Sequence, residues 1–518
     1  SPETRDANWV KASYDNQKPG SSYLGFTNFQ GPPALTGDNE FYGKVGTAMT
    51  PTKISAVGGG VLSYSAVGLP PGVSLNASNG QITGTPLATG DTTVTITITG
   101  SNSAGETRTA TGPIIVKVSD PTTFPYKMDL TLSGYAGSGT LTDFPVLLDL
   151  HTGLTTTGGA PVNFTTNSFL SPTGADLRFF AANGRELAYE IESWDGAGNS
   201  RVWVKVPTLA GTTTAITAVW ANPQEASAPA YSTDGSTWTN GFSSAWHMTE
   251  IVAGGFVDSS PAINHAVGNG ATIAAAGQIG PAADFDGTTW ADIPFTDSLN
   301  PDVFSASAWA KRASGSGSSH RAVFSSRDNP QSGYIIYSEG GKYQFWTGPG
   351  WDTNPRQNHS DNVWHHVAIT FDGTTKRIYV DGVAGGTSTP PTVSKNPQTT
   401  FRIGAGANES ATGNYFWKGQ IDEARVSTAV RSADWLKACY DNQKTGSTFV
   451  TYGAVSGPRV ITSPLTATAI AGQAFTYNLT AFSTAQIIDY AAFNLPGGLQ
   501  FNSSNGAVTG TPIVAGDF

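Results

Sequence analysis

Strict alternation of apolar and polar residues recurs along much of the chain. In TTVTITITG (92–100) and PIIVKV (113–118) this period of two predicts strands that turn one face to a core. In RVWVKV (201–206) it puts Val202, Val204 and Val206 on one face and Trp203 and Lys205 on the other, the pattern of a strand with a single covered face. VAITFDGTTKRIYVDG (367–382) reads as two such strands closed around Asp372-Gly373. Asn79-Gly80 predicts another hairpin, between strands ending at Leu75 and starting at Ile82, because Asn tolerates a positive φ and Gly adopts it without strain. A period of 3.6 shows in RSADWLKACYDNQK (431–444). Ser432 is its N-cap, Asp434 lies in its first turn, and Lys437 and Lys444 sit toward its end. Trp435, Ala438 and Cys439, at i, i+3 and i+4, form an apolar stripe for packing on the sandwich that precedes the helix.

The helix sequence occurs twice. KASYDNQK (11–18) returns as KACYDNQK (437–444), Trp9 as Trp435, and GLPPGVSLNASNGQITGTPLATGD (68–91) as NLPGGLQFNSSNGAVTGTPIVAGD (494–517). The offset is 426 residues at each point, so residues 1–92 and 427–518 are two copies of one sequence. A period that long is a multi-domain unit and no solenoid repeat, whose period is about 20–50 residues. Loop-like joins at SDPTTFP and WANPQEASAPA divide it. Residues 1–30 are expected to be the tail of a preceding jelly-roll unit, and 31–119 an immunoglobulin-like sandwich. Residues 120–231 read as another β-sandwich, 232–455 as a jelly roll with its closing helix, and 456–518 as part of a second Ig-like domain. The last segment stops before counterparts of TVTITITG and PIIVKV. It is therefore expected to carry an open sheet edge, completed by a continuing chain or by strand donation from a neighbouring copy. The fold class is all-β: tandem β-sandwiches with one short helix closing each repeat.

Composition agrees with this. Only 13% of the 518 residues are charged, 61 are Gly and 11% are aromatic, which suits β-domains joined by tight turns. The net charge of −10 comes with no basic patch, which argues against a nucleic-acid partner. No apolar run reaches the roughly 18 residues of a membrane span. A single cysteine, Cys439, excludes an internal disulfide, and its counterpart in the other copy is Ser13.

Five stretches resemble the laminin-G-like, concanavalin A-like jelly-roll family. They are AWHMTE (245–250), the segment 258–270 that ends in PAINHAVGNG, ADFDGTTWADIP (283–294), WHHVAITFDGTTKRIYVDG (364–382) and QIDEARVSTAVRSADWLKACYDNQ (420–443). Residues 125–222 resemble the bacterial domain DUF2341, and the LPPG…NGQITGTP stretch resembles bacterial Ig-like domains with a GTP signature. These resemblances imply a large secreted or surface-anchored bacterial protein, with glycan binding as the usual role of such a jelly roll. They also imply calcium held by loop oxygens, with Asp258, Asn264 and Asp422 as the candidate ligands. The alternative is that these Asx residues make turns.

Candidate chemistry is sparse. Retaining glycosidases need two carboxylates about 5 Å apart, and on a jelly-roll strand these follow an E-x-D-x-x-E pattern. In QIDEARV (420–426) Gln420 stands where the first acid belongs and the last position fails, so no enzyme is expected, and Asp422 and Glu423 are read as holding loop backbone or an ion. His365 and His366 are adjacent on a strand and point to opposite faces, and His247 reads as a core or interface residue. For sugar, KYQFWTGPGWDTNPRQNH (342–359) offers Tyr343, Trp346, Trp351, Asp352, Arg356 and Asn358, rings to stack on and planar groups for hydroxyls; the alternative is that the rings belong to the core. The expected function is a structural and adhesive segment of an extracellular stalk, fibre or filament built of 426-residue units. Its partners would be neighbouring copies of the repeat and a surface or matrix polysaccharide. The rival is a carbohydrate-binding accessory region of a secreted polysaccharide-degrading enzyme.

Overall fold

A computed structural model describes residues 6–17, 33–37, 39–58, 62–101, 107–195, 199–249, 251–252, 254–317, 319–328, 331–349, 354–390, 393–406, 414–458, 460–461, 463–482 and 489–518. The chain is almost entirely β, with two α-helices among these residues, α1 (Ala7–Gln17) and α2 (Ala433–Gln443). It divides into two compact units, residues 1–121 with 183–185, and 122–182 with 186–518.

In the first unit the alternating segments form strands Gly90–Ser101 and Thr107–Ser119, paired antiparallel along their length. Strand Glu40–Lys44 joins them in parallel and Leu62–Val67 antiparallel, giving a four-stranded sheet. Val94, Ile96 and Ile98 face inward with Ile114, Val116 and Val118 and meet Ile82 from the smaller sheet. The hairpin at Asn79-Gly80 forms with Leu75 opposite Ile82. Its turn is longer than a two-residue one: the Asn76 N–H donates to Gln81 O at 2.8 Å, and Asn79 Oδ1 accepts from the Gln81 N–H at 3.0 Å. Gly80 takes φ +69° there, with the Tyr64 ring where a Cβ would project.

In the second unit, residues 122–231 build a sandwich of two sheets, and 232–455 a jelly roll of two eight-stranded sheets. The two share structure. Thr451–Tyr452, which follows α2, pairs with Tyr126–Thr131 and so adds a strand to the first sandwich. Strand Ser200–Leu209 has the predicted alternation, with Val202, Val204 and Val206 in the sandwich core. Its other face is covered as well: Trp203 is fully buried against Trp238, Ala245 and Ile279 of the jelly-roll segment. A period-2 pattern with one tryptophan among polar residues reads as half-covered; the jelly roll supplies the second cover.

Helix α2 is the mortar of this joint. The Ser432 hydroxyl caps it by accepting from the Trp435 N–H at 3.1 Å, and Asp434 in its first turn accepts from the Gly139 N–H at 2.8 Å. Trp435, Ala438 and Cys439 are buried, as their stripe predicts, but in the core cluster of the 122–231 sandwich as well as against the jelly roll. The Trp435 ring stands edge-on to Phe144 at 4.9 Å, with the Arg431 guanidinium 4.0 Å from its centroid. Asn442 clamps the backbone of Leu147, accepting from its N–H at 2.7 Å and donating to its carbonyl at 3.0 Å. On the jelly-roll side, Gln443 accepts from the Trp309 indole at 2.8 Å.

Residues 456–518 repeat the smaller sheets of the first Ig-like domain. Phe475–Asn478, Ala507–Gly510 and Leu499–Asn502 pair with one another, as do Val460–Ile461 and Ala481–Phe482. The four-stranded sheet has no counterpart among the described residues there, and Ile470 and Phe493 are exposed.

Candidate functional site

Among the described residues, the predicted sugar-binding stretch does not converge. Tyr343 and Trp346 lie three apart on strand Lys342–Thr347, so they point to opposite faces of the sheet, and both are buried. Tyr343 fills the jelly-roll core with Phe345, while Trp346 packs with Ala322, Ile335 and Tyr337 under the Arg327 guanidinium, 4.2 Å from its ring centroid. Neither ring is open to a sugar, which corrects the expectation for these two. Trp351 and Asp352 lie outside the described residues. Arg356 and Asn358 are exposed on the edge strand Arg356–Asn358.

Polar and aromatic groups do gather beside that edge, on the Trp346 face of the sheet. The Tyr337 hydroxyl donates to Gln344 and accepts from Asn354, both at 3.2 Å, and Gln344 donates to Glu339 at 2.9 Å. The His320 ring lies 4.9 Å from both Tyr337 and the partly exposed Tyr415. At one end of the jelly roll a separate cleft of about 230 Å³ opens between Val303, Tyr334, Phe371 and Val393, with a 2.7 Å Asp302–Lys395 ion pair on its lining.

Of the three candidate calcium ligands, Asp258 has both oxygens fully engaged and the other two are engaged in part. Asp258 Oδ1 accepts from the N–H groups of Ala245 and Ser260, and its Oδ2 from the Ser260 hydroxyl and the Asn264 N–H, all at 2.8–2.9 Å. With four donors on two oxygens, Asp258 is a turn-former with no lone pair left for a cation. Asn264 spends its side-chain N–H groups on Ser243, Ser244 and Ser298, and its backbone carbonyl accepts from the Trp246 indole. Asp422 holds loop backbone through Oδ2, which accepts from Gln278 and Ile279 at 2.9 and 2.8 Å; its Oδ1 is buried with no partner. Burial and the neighbouring Glu423 charge raise the Asp422 carboxyl well above the usual range.

A different set of groups converges, at the joint between the sandwiches. Glu190 and Glu192, two apart on strand Tyr189–Ser193, share the face opposite Tyr189 and Ile191, which pack on the sandwich core. Facing them are His247, just past strand Phe242–Trp246, and Glu423 and Arg425 on strand Lys418–Ser427. The pairing of that strand with Phe304–Arg312 slips between Arg425 and Asp422, and Glu423 has φ +50°, a bulge that re-aims its side chain. His247 Nδ1 lies 2.8 Å from Glu423 Oε1 and 3.6 Å from Glu192 Oε2, and its Nε2 lies 3.4 Å from Glu190 Oε2. The Trp203 indole donates to Glu192 at 2.7 Å, the Trp238 indole to Glu190, and Arg425 pairs with Glu423. The Arg425 guanidinium sits 4.4 and 4.7 Å from the Trp203 and Trp238 rings.

The electrostatics follow from burial. Burial and the Glu423 charge push Glu192 up to about 8. Burial works against the His247 charge, yet Glu423 and Glu190 hold it well above the ordinary imidazole range. Burial would raise Glu190 too, but His247 outweighs it and leaves that carboxyl below its usual value. Sequence reading singled out His247 as a core or interface residue and missed Glu190 and Glu192. Their signal is the alternation in YEIES (189–193), which reads as an ordinary solvent-facing pair unless the second sandwich is known to cover it.

Helix α1 is a near copy of α2. Its ANWVKASYDNQ differs from α2's ADWLKACYDNQ at three positions, and Asp6 caps it by accepting from the Trp9 N–H at 2.8 Å. None of its residues is buried; Trp9 is 52% exposed, against 6% for its counterpart Trp435.

Family models match the three resemblances stated above. Residues 285–437 match the concanavalin A-like lectin/glucanases superfamily, 32–119 and 457–518 match the "Putative Ig domain" family, and 173–244 match the domain of unknown function DUF2341. The chain therefore carries concanavalin A-like and Ig-like domains. No curated protein matches it. Among solved structures, the binding domain of Paraclostridial Mosquitocidal Protein 1 is similar at 10% identity and a TM-score of 0.32, over 46% of this chain and 58% of that one. Domain 4 of AbnA, a GH43 extracellular arabinanase from Geobacillus stearothermophilus in complex with arabinotriose, is similar at 21% identity and a TM-score of 0.32, over 39% of this chain and 98% of that one. The binding domain of botulinum neurotoxin serotype G is similar at 13% identity and a TM-score of 0.31, over 38% of this chain and 50% of that one. No helix among the described residues is long and apolar enough to cross a membrane.

Proposed function

We propose that this chain is a segment of a non-catalytic, extracellular bacterial stalk or adhesin in which 426-residue units follow one another, each locked by its closing helix. The observation that carries this reading is the pair of helices. In α2, Trp435, Asn442 and Gln443 are seated in a groove formed by two sandwiches. In α1, Trp9, Asn16 and Gln17 are the same side chains at the same spacing, and all are exposed. A helix this short gains its stability from the face it buries, so α1 is the closing helix of a unit with the same groove.

A seat exchange tests this. Asp434→Asn, Leu436→Val and Cys439→Ser together give α2 the α1 sequence. The chain is expected to keep one cooperative transition for residues 122–455, with a loss of no more than about 3 kcal/mol from the smaller side chain and the polar hydroxyl. Loss of that transition would show that α1 does not fit such a groove, and the array reading would fall.

Glycan binding by the jelly roll is a second activity of the same stalk, favoured by the polar and aromatic groups around Tyr337, Glu339, His320 and Tyr415 beside the exposed Arg356. Arg356→Ala and Tyr415→Ala are each expected to weaken binding on an array of bacterial and plant polysaccharides. Binding unchanged in both would remove this face from consideration.

A further inference from the structure

We propose that Glu192, His247 and Glu423 form a site for one divalent transition-metal ion of the zinc type, which bridges the two sandwiches of the 122–455 unit. One ligand comes from the first sandwich and two from the jelly-roll segment, and the ligand atoms lie within 4.8 Å of one another. The imidazole Nδ1 stands 2.8 and 3.6 Å from the two carboxylate oxygens. Tetrahedral ligands on bonds of about 2.0–2.2 Å stand roughly 3.3 Å apart, so small shifts bring all three onto one ion. A nitrogen donor with two carboxylates selects zinc over calcium, which takes six to eight oxygens.

Four further observations point the same way. Glu192, its side chain only 1% exposed, keeps one oxygen, Oε1, with no hydrogen-bond partner while Oε2 faces His247, so this buried carboxylate has an acceptor to spare. The outer contacts are those of a metal centre: Glu190 approaches the far imidazole nitrogen at 3.4 Å, the Trp203 indole holds Glu192, and Arg425 takes the Glu423 oxygen that does not face His247. Three carboxylates, Glu190, Glu192 and Glu423, face one imidazole, with the single guanidinium of Arg425 paired among them. Finally, a cleft of about 400 Å³ lined by Thr237, Ser259 and His265 reaches Glu190, whose carboxylate lies 3.4 Å from the far imidazole nitrogen.

The test uses the full chain, unfolded in chelator and refolded with Zn²⁺, Mn²⁺ or Ca²⁺ singly, then freed of loose ion by gel filtration. About one zinc per chain is expected, no retained calcium, and a higher unfolding temperature for the tryptophan-rich unit with zinc than with chelator. Glu192→Gln is expected to weaken zinc binding about tenfold or more, and His247→Gln to abolish it. If His247→Gln does not fold, Glu192→Gln, which keeps the side-chain shape, decides alone. Zinc well below one equivalent, or equal retention in wild type and Glu192→Gln, would mean that protons alone balance the cluster and would overturn the proposal.

Discussion

Replacing Asn442 by alanine tests how the closing helix holds the two sandwiches together. The Asn442 side chain, 5% exposed, accepts from the Leu147 N–H at 2.7 Å and donates to the Leu147 carbonyl at 3.0 Å. Truncation leaves both backbone groups unpaired beneath the helix, at the margin of a cleft that Leu147 and Asn442 both line. A buried polar group stripped of its partner costs about 1–3 kcal/mol, so the expected loss for the two is about 2–6 kcal/mol. The control is Asn16→Ala, the same change in α1, where the side chain is exposed; it should cost less than about 0.5 kcal/mol. Urea unfolding followed by tryptophan fluorescence suits this pair, because of the 13 tryptophans Trp9 alone lies outside the 122–182/186–518 unit. Peptide-level hydrogen exchange should in addition show the Leu147 amide losing protection. An Asn442→Ala chain within about 0.5 kcal/mol of wild type, or equal costs at 16 and 442, would refute the clamp.

Burial pushes the Cys439 thiol up to about 11, so the folded protein should resist alkylation at mildly alkaline pH and react fully in denaturant; rapid labelling of the native chain would contradict the seat described for α2. Burial, reinforced by the Arg425 charge, holds His366 down to about 3, against about 6.5 in an unfolded chain. Between those values only the unfolded state binds the proton, so stability contributed by this site is intact above about pH 6.5 and declines as pH falls, by up to about 1.4 kcal/mol per unit. His366→Gln should flatten the slope of unfolding free energy between about pH 6.5 and 4.5; an unchanged slope would count against the buried neutral ring.

Much of the architecture could be read directly. The period-2 segments became strands, the Asp372-Gly373 hairpin formed between His365–Phe371 and Lys376–Val380, and Ser432 capped α2. Those features rest on local rules of pleat, turn and cap. Two of the six sugar candidates failed on one such rule left unapplied: Tyr343 and Trp346 are an odd number of positions apart and cannot share a face of a strand. Asp258 was legible as a turn residue or an ion ligand, and the four donors that converge on it, three from its own loop and one from Ala245, decide for the turn.

By itself the sequence determined the all-β class, the 426-residue period and the apolar stripe that both helices carry, because alternation, internal self-similarity and helical spacing are properties of the chain alone. Only the tertiary structure decided what that stripe is for. It showed that α2 binds two sandwiches at once and that Trp203 has a cover on its outer face. It also brought Glu190, Glu192, His247 and Glu423, up to 233 positions apart in the numbering, into one buried cluster. The physical reason is that period and propensity say which face of a strand is apolar, whereas the charge on the other face acquires its chemistry only when a second domain removes it from water.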